Sequence, residues 1–221
     1  MKLFITFLLF FSFLLTNGQS YYQIADTSKQ WNTIHIGHGA FMIHYCGGTS
    51  NNKLEGEYVI DSVTYLKVQQ SDDSLQTNWD VYGLLREDTI SKRVYFHSGW
   101  DWDDEGLIYD FNIEIGDTVN IDNLYTTYNS QLICEDIDSV LVGENLKKRF
   151  LFSSPYYYYP AETWIEGIGS VFGLLYSGLG GVAIAGGTTQ LLCCSKNDTI
   201  IYMDSVFEQC YMDQFYPQLL T

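Results

Sequence analysis

Three groups of side chains have the types and spacing to do chemistry. The first is Glu162 and Glu166, four apart in Glu162-Thr163-Trp164-Ile165-Glu166. A pair of carboxylates is the machinery of glycoside hydrolysis. On an extended strand these positions share a face, but their Cα atoms lie ~13 Å apart. Hydrolysis needs carboxyl groups about 5–9.5 Å apart, so the two side chains would have to converge. The second group is Asp101-Trp102-Asp103-Asp104-Glu105-Gly106, which resembles the opening of an EF-hand loop, with oxygen donors at positions 1, 3 and 5 and Gly at 6. Position 12 is Asn112 rather than a bidentate Glu, and an alternating strand pattern follows where a helix is required. An EF-hand is therefore excluded. Asp101, Asp103 and Glu105 remain as ligands for Ca²⁺ on a hairpin loop, against the plainer reading of a solvated acidic turn. The third group is Tyr156, Tyr157, Tyr158 and Tyr159, held between Pro155 and Pro160. Alternate residues of a strand face opposite sides, so two of these rings should be exposed. With Trp100 or Trp102 they could stack on a sugar or meet a protein; the alternative is a proline-clamped edge packed on its neighbours.

Other reactive patterns are weaker. His35 and His38 are three apart in a Gly-flanked segment, without a Cys or Glu nearby to complete a metal site; His44 and His97 stand apart from them. There is no Gly-x-Ser-x-Gly elbow, and the glycines from Gly167 to Gly173 form neither a dinucleotide fingerprint nor a P-loop. None of the five cysteines, Cys46, Cys134, Cys193, Cys194 and Cys210, lies in a Cys-x-x-Cys pair. Adjacent cysteines rarely bond each other. Either Cys193 or Cys194 can reach Cys210 across the Asn197-Asp198 turn, and closing a loop of ~17 residues would contribute about 3 kcal/mol. The other three are odd in number, so one at least stays free or pairs between chains; Cys46 with Cys134 is an option.

The elements that must position these groups read as strands. In Leu107–Ile115 the residues Leu107, Tyr109, Phe111, Ile113 and Ile115 alternate with polar ones, the period of a half-buried antiparallel strand. Gly116-Asp117 turns it into Thr118–Ile121. Further β-rich runs are Tyr58–Ile60, Val63–Val68, Val81–Leu85, Val94–His97, Ile137–Val142, Arg149–Phe152 and Ile200–Met203. Turn signals stand at Asn51-Asn52, Asp72-Asp73, Gly143-Glu144-Asn145 and Asn197-Asp198. Strands recurring roughly every 8–14 residues predict a mainly β fold. That is an antiparallel meander forming a curved sheet, barrel or sandwich, with little helix. Only Ser205–Tyr216, stopped by Pro217, has a fair helical pattern. The Gly-rich run from Ser177 to Gly187 reads as a flexible surface loop. No linker divides the chain, so residues 21–221 read as a single β-rich domain.

Residues 1–20 read as an address instead. Lys2 precedes an apolar run from Leu3 to Leu15, and small or polar residues follow up to Ser20, the layout of a secretory signal peptide. As a helix that run spans only about 20 Å, short of a ~30 Å hydrocarbon core, and no other segment is apolar and long enough to span a membrane. The 221 residues carry 11 basic and 27 acidic side chains, a net charge of −16. So acidic a surface repels phosphate backbones, which argues against a nucleic-acid partner. With 46% hydrophobic and 17% charged residues, the chain has enough apolar content for a packed core.

Several motifs, in order, resemble a secreted Bacteroidota module that often precedes a C-terminal sorting domain for type IX secretion. They are Glu57–Lys67, Gly83–Asp88, Val94–Phe96, Leu107–Phe111 with Gly116-Asp117-Thr118, and Trp164-Ile165-Glu166-Gly167-Ile168-Gly169-Ser170 with Gly173-Leu174-Leu175. Together they cover about residues 31 to 212. The module's Gly-Asp-Thr is Ile60-Asp61-Ser62 here, a departure from the pattern. The resemblance implies export, with the sorting domain absent and the last export step open. It also implies that Cys193 is the partner of Cys210. It supplies no catalytic residues. The resulting expectation is a secreted, non-catalytic β module, structural or protein-binding, at or outside the cell envelope. Two alternatives stand beside it: a carbohydrate-binding module, with or without Ca²⁺, and a glycoside hydrolase.

Overall fold

The structure, a computed structural model, describes residues 21–38, 44–98, 105–123, 130–155, 162–178, 182–183 and 187–213. Two curled antiparallel sheets pack as a sandwich, and no helix occurs among the described residues. The larger sheet holds β1 (Lys29–His38), β2 (His44–Ile60), β3 (Val63–Ser71), β4 (Asp80–Asp88), β5 (Arg93–Ser98) and β6 (Gly106–Asp110) as a continuous meander. The chain then crosses to the smaller sheet. There β7 (Thr118–Ile121), β8 (Ser130–Val142), β9 (Asn145–Ser153), β10 (Glu162–Ile165) and β11 (Gly169–Ser170) follow one another. It returns to the first sheet, where β12 (Val182–Ala183) and β14 (Thr199–Met203) both pair with β13 (Gly187–Lys196), and β13 lies against β1.

The sheets meet at both margins. Asp122 N donates to Leu107 O at 3.0 Å beside β6 and β7, and Leu191 N donates to Val171 O at 2.8 Å beside β11 and β13. One buried cluster draws on both sheets, including Trp31, Val68, Leu85, Phe96, Tyr109, Phe150, Phe152 and Trp164. The tight turns gather at one end. Asp61 and Ser62 take φ of 47° and 69°, and Asn197 and Asp198 take 48° and 61°. This left-handed pair matches the twist of a two-residue hairpin. Gly143 and Glu144 close β8–β9 at the same end, where Gly143 N reaches Ile201 O at 2.8 Å.

Four local expectations change. The strand predicted over Leu107–Ile115 stops at Asp110. The Asp110 carboxylate accepts hydrogen bonds from Arg93 Nε at 2.8 Å and from Asn112 N at 2.9 Å, which bends the chain. Ile108 is fully buried and Ile115 is 59% exposed, the reverse of the alternating pattern. Asn51-Asn52, expected as a turn, lies inside β2 and is buried. Asn32 donates to Asn51 Oδ1, and Asn51 Nδ2 donates to Ser71 O at 3.0 Å, so partners on neighbouring strands replace the water a turn would offer. Ser177 is buried rather than on a surface loop, because Asn123 Nδ2 donates to its carbonyl at 3.2 Å and Ser130 holds Gly178. The predicted helix from Ser205 is not formed over residues 205–213, which run as turns and bends.

That last segment is strapped to the outside of β13 and β1. Cys193 and Cys210 form a disulfide, as the resemblance implied. Phe207 packs with Ile34 and Leu192, and Met212 joins them. Met212 N and O both bond Thr49 Oγ1, at 2.9 and 3.0 Å. Cys134 and Cys194 are buried free thiols, so Cys134 is not bridged to Cys46. The disulfide spans 17 residues, and the restriction it puts on the unfolded chain is worth about 3 kcal/mol. Replacing Cys193 and Cys210 together by Ala is predicted to lower the unfolding free energy in urea by that order while far-UV circular dichroism stays β-like; an unchanged urea midpoint would refute it.

Candidate functional site: a lysine-lined cleft

Of the residues singled out above, Trp100, Asp101, Trp102, Asp103 and Tyr156 to Tyr159 lie outside the described residues. Their described flanks are at one end of the fold. Phe96 pairs with Gly106, Leu107 bonds Asp122, Ile121 pairs with Ser130, and Ile133 pairs with Ser153. Ser98 and Ser153 therefore lead out of the same end, opposite the tight hairpin turns. Glu105 is described, and its oxygens are taken. Arg86 Nε donates to Oε2 at 2.6 Å, Arg86 NH2 donates to Oε1, and the Tyr65 hydroxyl adds a bond of 2.7 Å to Oε2. The Arg86 guanidinium lies 4.0 Å over the Tyr95 ring. Burial alone would raise the Glu105 pKa; the bonds from Arg86 and Tyr65 outweigh it and hold the carboxyl below its ordinary range. A cation at Glu105 would have to compete with Arg86. No group of three or more ligating side chains gathers among the described residues.

The two glutamates of the Trp164 segment are walled in. β10 pairs with β9 and β11, and the chain turns back on itself over Glu166–Ile168. Gly167 and Gly169 have φ of 76° and 101°, which side chains avoid. A Cβ at Gly169 would stand 2.9 Å from the Tyr109 hydroxyl. Trp164 is wholly buried, and its indole N–H donates to Glu162 Oε1 at 3.1 Å. Ser170 donates its hydroxyl to the same oxygen. Tyr109 accepts from Ser170 N at 3.0 Å and donates to Leu174 O at 2.7 Å. The Glu162 carboxylate thus ties the corner together from inside. Glu166 is 3% exposed, and burial raises its pKa against the pull of Lys148, Lys92 and Lys147.

A different place brings charged side chains together on an accessible surface. Beside the hairpin turns is a cleft of about 510 Å³ between the segment Tyr21–Lys29, the β8–β9 turn and the β13–β14 turn. Three of the protein's 11 basic residues line it: Lys29, Lys147 and Lys196. Its floor exists because Glu87 clamps the first segment, accepting from the Tyr21 hydroxyl at 2.5 Å, Ile24 N at 3.0 Å and Ala25 N at 2.8 Å. No family model, no curated protein and no solved structure matches the chain. The chemistry of the cleft therefore rests on its own geometry.

Each lysine is held differently. Lys196 pairs with Asp26 at 2.8 Å. Burial would raise the Asp26 pKa, but the bonds from Lys196 and Ser28 dominate and hold it well below the usual range. Lys29 is 4% exposed and donates to the carbonyls of Gln23 and Gly167, the latter at 2.8 Å. Lys147 is 6% exposed, and its Nζ stands 4.6 Å from the centroid of the Tyr22 ring. No carboxylate lies within ion-pair distance of it, and no acceptor bonds it, among the described residues. Behind them the buried Cys194 thiol is pushed up to about 12 by burial, which Lys29 and Lys147 only partly offset. The sequence hides this cluster because its members are far apart in the chain. The one local hint is the run Lys147-Lys148-Arg149 in an otherwise acidic protein.

Burial lowers the Lys29 pKa from 10.5 to about 8. Between those values the unfolded chain still holds the proton that the native state has released, so Lys29 makes stability rise with pH there. Below about pH 8 both states are protonated and this gain is absent. In urea titrations, the stability of the wild type relative to Lys29→Met is predicted to increase from pH 8 to 10.5. A pH-independent difference would show that the Lys29 ammonium is as well solvated as in the unfolded chain.

Proposed function

We propose that the chain is an exported, non-catalytic β module that works by binding a partner protein. The observation that carries this reading is the setting of its most enzyme-like pair. The Glu162 carboxylate is 1% exposed and spends Oε1 on Trp164 and Ser170. Glu166 is nearly as buried. A general acid or nucleophile must touch the substrate, and neither carboxylate lies on a surface that a glycan can reach. Export is supported by the leader-like residues 1–20 and by a disulfide that clips the last described segment to the sheet. The resemblance to the secreted Bacteroidota module points the same way.

Carbohydrate binding is the second reading. It is favoured by the topology that leads the flanks of Trp100, Trp102 and Tyr156 to Tyr159 out of one end of the fold. The pairing of Glu105 with Arg86 weighs against a calcium-assisted form of it.

The purified protein, Glu162→Gln and Glu166→Gln are to be incubated with a panel of polysaccharides while reducing ends are counted, and the protein is also to be applied to a glycan array with and without EDTA. No release above the blank and no retained glycan is the outcome this reading requires. Release by the wild type that disappears in Glu166→Gln would establish a hydrolase. A glycan retained by the wild type and lost in a Tyr157→Ala, Tyr158→Ala double variant would replace protein binding by the carbohydrate reading.

A further inference from the structure

We propose that the lysine-lined cleft is a binding site for a small organic monocarboxylate, with the Lys147 ammonium as its direct partner. This goes beyond the partner-binding reading, since the cleft is at the opposite end of the β8–β9 hairpin from Ser153. A buried ammonium is costly unless a counter-charge or hydrogen-bond acceptors meet it. Lys29 has its two carbonyls and Lys196 has Asp26. Lys147, at 6% exposure, has only the face of Tyr22. Its more distant neighbours are Glu166 and Asp26, which attract it, and Lys196, which repels it; Lys29 and the Cys194 thiol also face it. No acceptor of the described chain bonds Lys147 Nζ, and that atom is not wholly shut off from solvent, so water or a ligand oxygen reaching it through the cleft supplies the acceptor.

Charge selects the class of ligand. The cleft lining holds three lysines against Asp26 and Glu144, one cation more than anion, and Glu166, which also attracts Lys147, is buried outside that lining. One carboxylate neutralises the excess cation. A dianion such as phosphate would add a negative charge inside a molecule whose net charge is already −16, and the field of the whole protein opposes that. Size agrees, because about 510 Å³ is the range of small-molecule sites rather than of a polymer groove. Thr199 and Asn145 on the rim offer hydroxyl and amide partners to the body of the ligand. Gly167 keeps the space open, since a Cβ there would stand 2.9 Å from Tyr22 Cβ and 3.3 Å from Lys147 Nζ.

The test measures thermal stability of the wild type and Lys147→Met in acetate, propionate, glucose or phosphate, at ionic strength matched with sodium chloride. Acetate and propionate should each raise the wild-type Tm in a saturable way, glucose should not, and Lys147→Met should weaken the response at least about tenfold. Without ligand, Lys147→Met should be no less stable than the wild type, because an apolar side chain replaces an unpaired ammonium. In the wild type, the ¹⁵N resonance of Lys147 Nζ should move along the acetate titration, a readout that does not depend on the variant folding. The proposal fails if neither carboxylate gives a saturable shift, if Lys147→Met binds as tightly, if phosphate binds more tightly than acetate, or if the Nζ resonance stays still. None of these outcomes bears on the glycan and hydrolysis assays, so the two readings fail separately.

Discussion

Trp164 is the point through which the two sheets are held to each other. Its ring centroid lies 4.3 Å from that of Phe152 on β9, 5.1 Å from Tyr109 on β6 and 6.0 Å from Phe111 just beyond β6. One side chain thus bridges the end of the large meander and the middle of the small sheet. Pairs of this kind add about 0.5–1.5 kcal/mol each beyond the area they bury. An indole this deep needs an acceptor, and Glu162 supplies it from two residues away on the same strand. The carboxylate then needs further donors, and Ser170 supplies one from β11. Burying the tryptophan therefore dictates a carboxylate in the core, and the carboxylate dictates the strand that returns beside it.

The same corner shapes the cleft. The backbone folds tightly at Gly167, where φ is 76° and a Cβ would meet Tyr22, and its carbonyl is buried. Lys29 takes that carbonyl and so joins β1 to the corner. Trp31, two residues further along β1, donates its indole N–H to Ile168 O at 2.8 Å. Two neighbouring carbonyls of one turn are thus capped by two residues of one strand. Buried backbone acceptors must be paired, and here the pairing brings a lysine into the interior. Glu87 adds the complementary lock, holding the residues before Lys29 by their backbone N–H groups. The lysine cluster is in part a by-product of closing the sandwich, with Lys147 the member that closure does not use.

The strands and tight turns were legible because they depend on local chemistry. Asn197-Asp198 can adopt two left-handed residues in succession, and Thr118–Ile121 alternates over four positions with one face buried. Asp61-Ser62 forms the same left-handed pair without a Gly. What failed was decided by distant partners. Asn51-Asn52 has turn composition, but Asn32 and Ser71 supply the hydrogen bonds of the Asn51 side chain across the sheet. The alternation through Ile115 is real as a pattern, yet Arg93 draws the Asp110 carboxylate and the chain bends there. The helical spacing after Ser205 loses to Cys210, whose bond to Cys193 lays the segment flat and buries Phe207. At the site level the Trp164 corner was visible as a Gly-punctuated aromatic motif. The cleft was not, since Lys29, Lys147 and Lys196 become neighbours only after the first strand, the eighth turn and the last hairpin have met.

An acidic protein gains from keeping its few cations where they face fixed groups rather than bulk water. On the surface, a lysine among 27 acidic residues would be one more weak, screened pair. Arg86, Arg93 and Arg149 show the ordinary use, each gripping a carboxylate within its own sheet: Arg93 and Arg149 on a neighbouring strand, Arg86 past β5 at Glu105 beside β6. Their flat guanidinium groups suit that fork-like contact. The cleft uses lysine, a point charge on a flexible stem that tolerates desolvation at the cost of a lowered pKa. Lys29 and Lys147 both show that lowering. Arginines fasten the sheets where the partner is part of the chain. Lysines stand where backbone carbonyls, one aspartate and an open cleft share the work, so the lining of this cleft holds one cation more than anion in a protein whose net charge is −16.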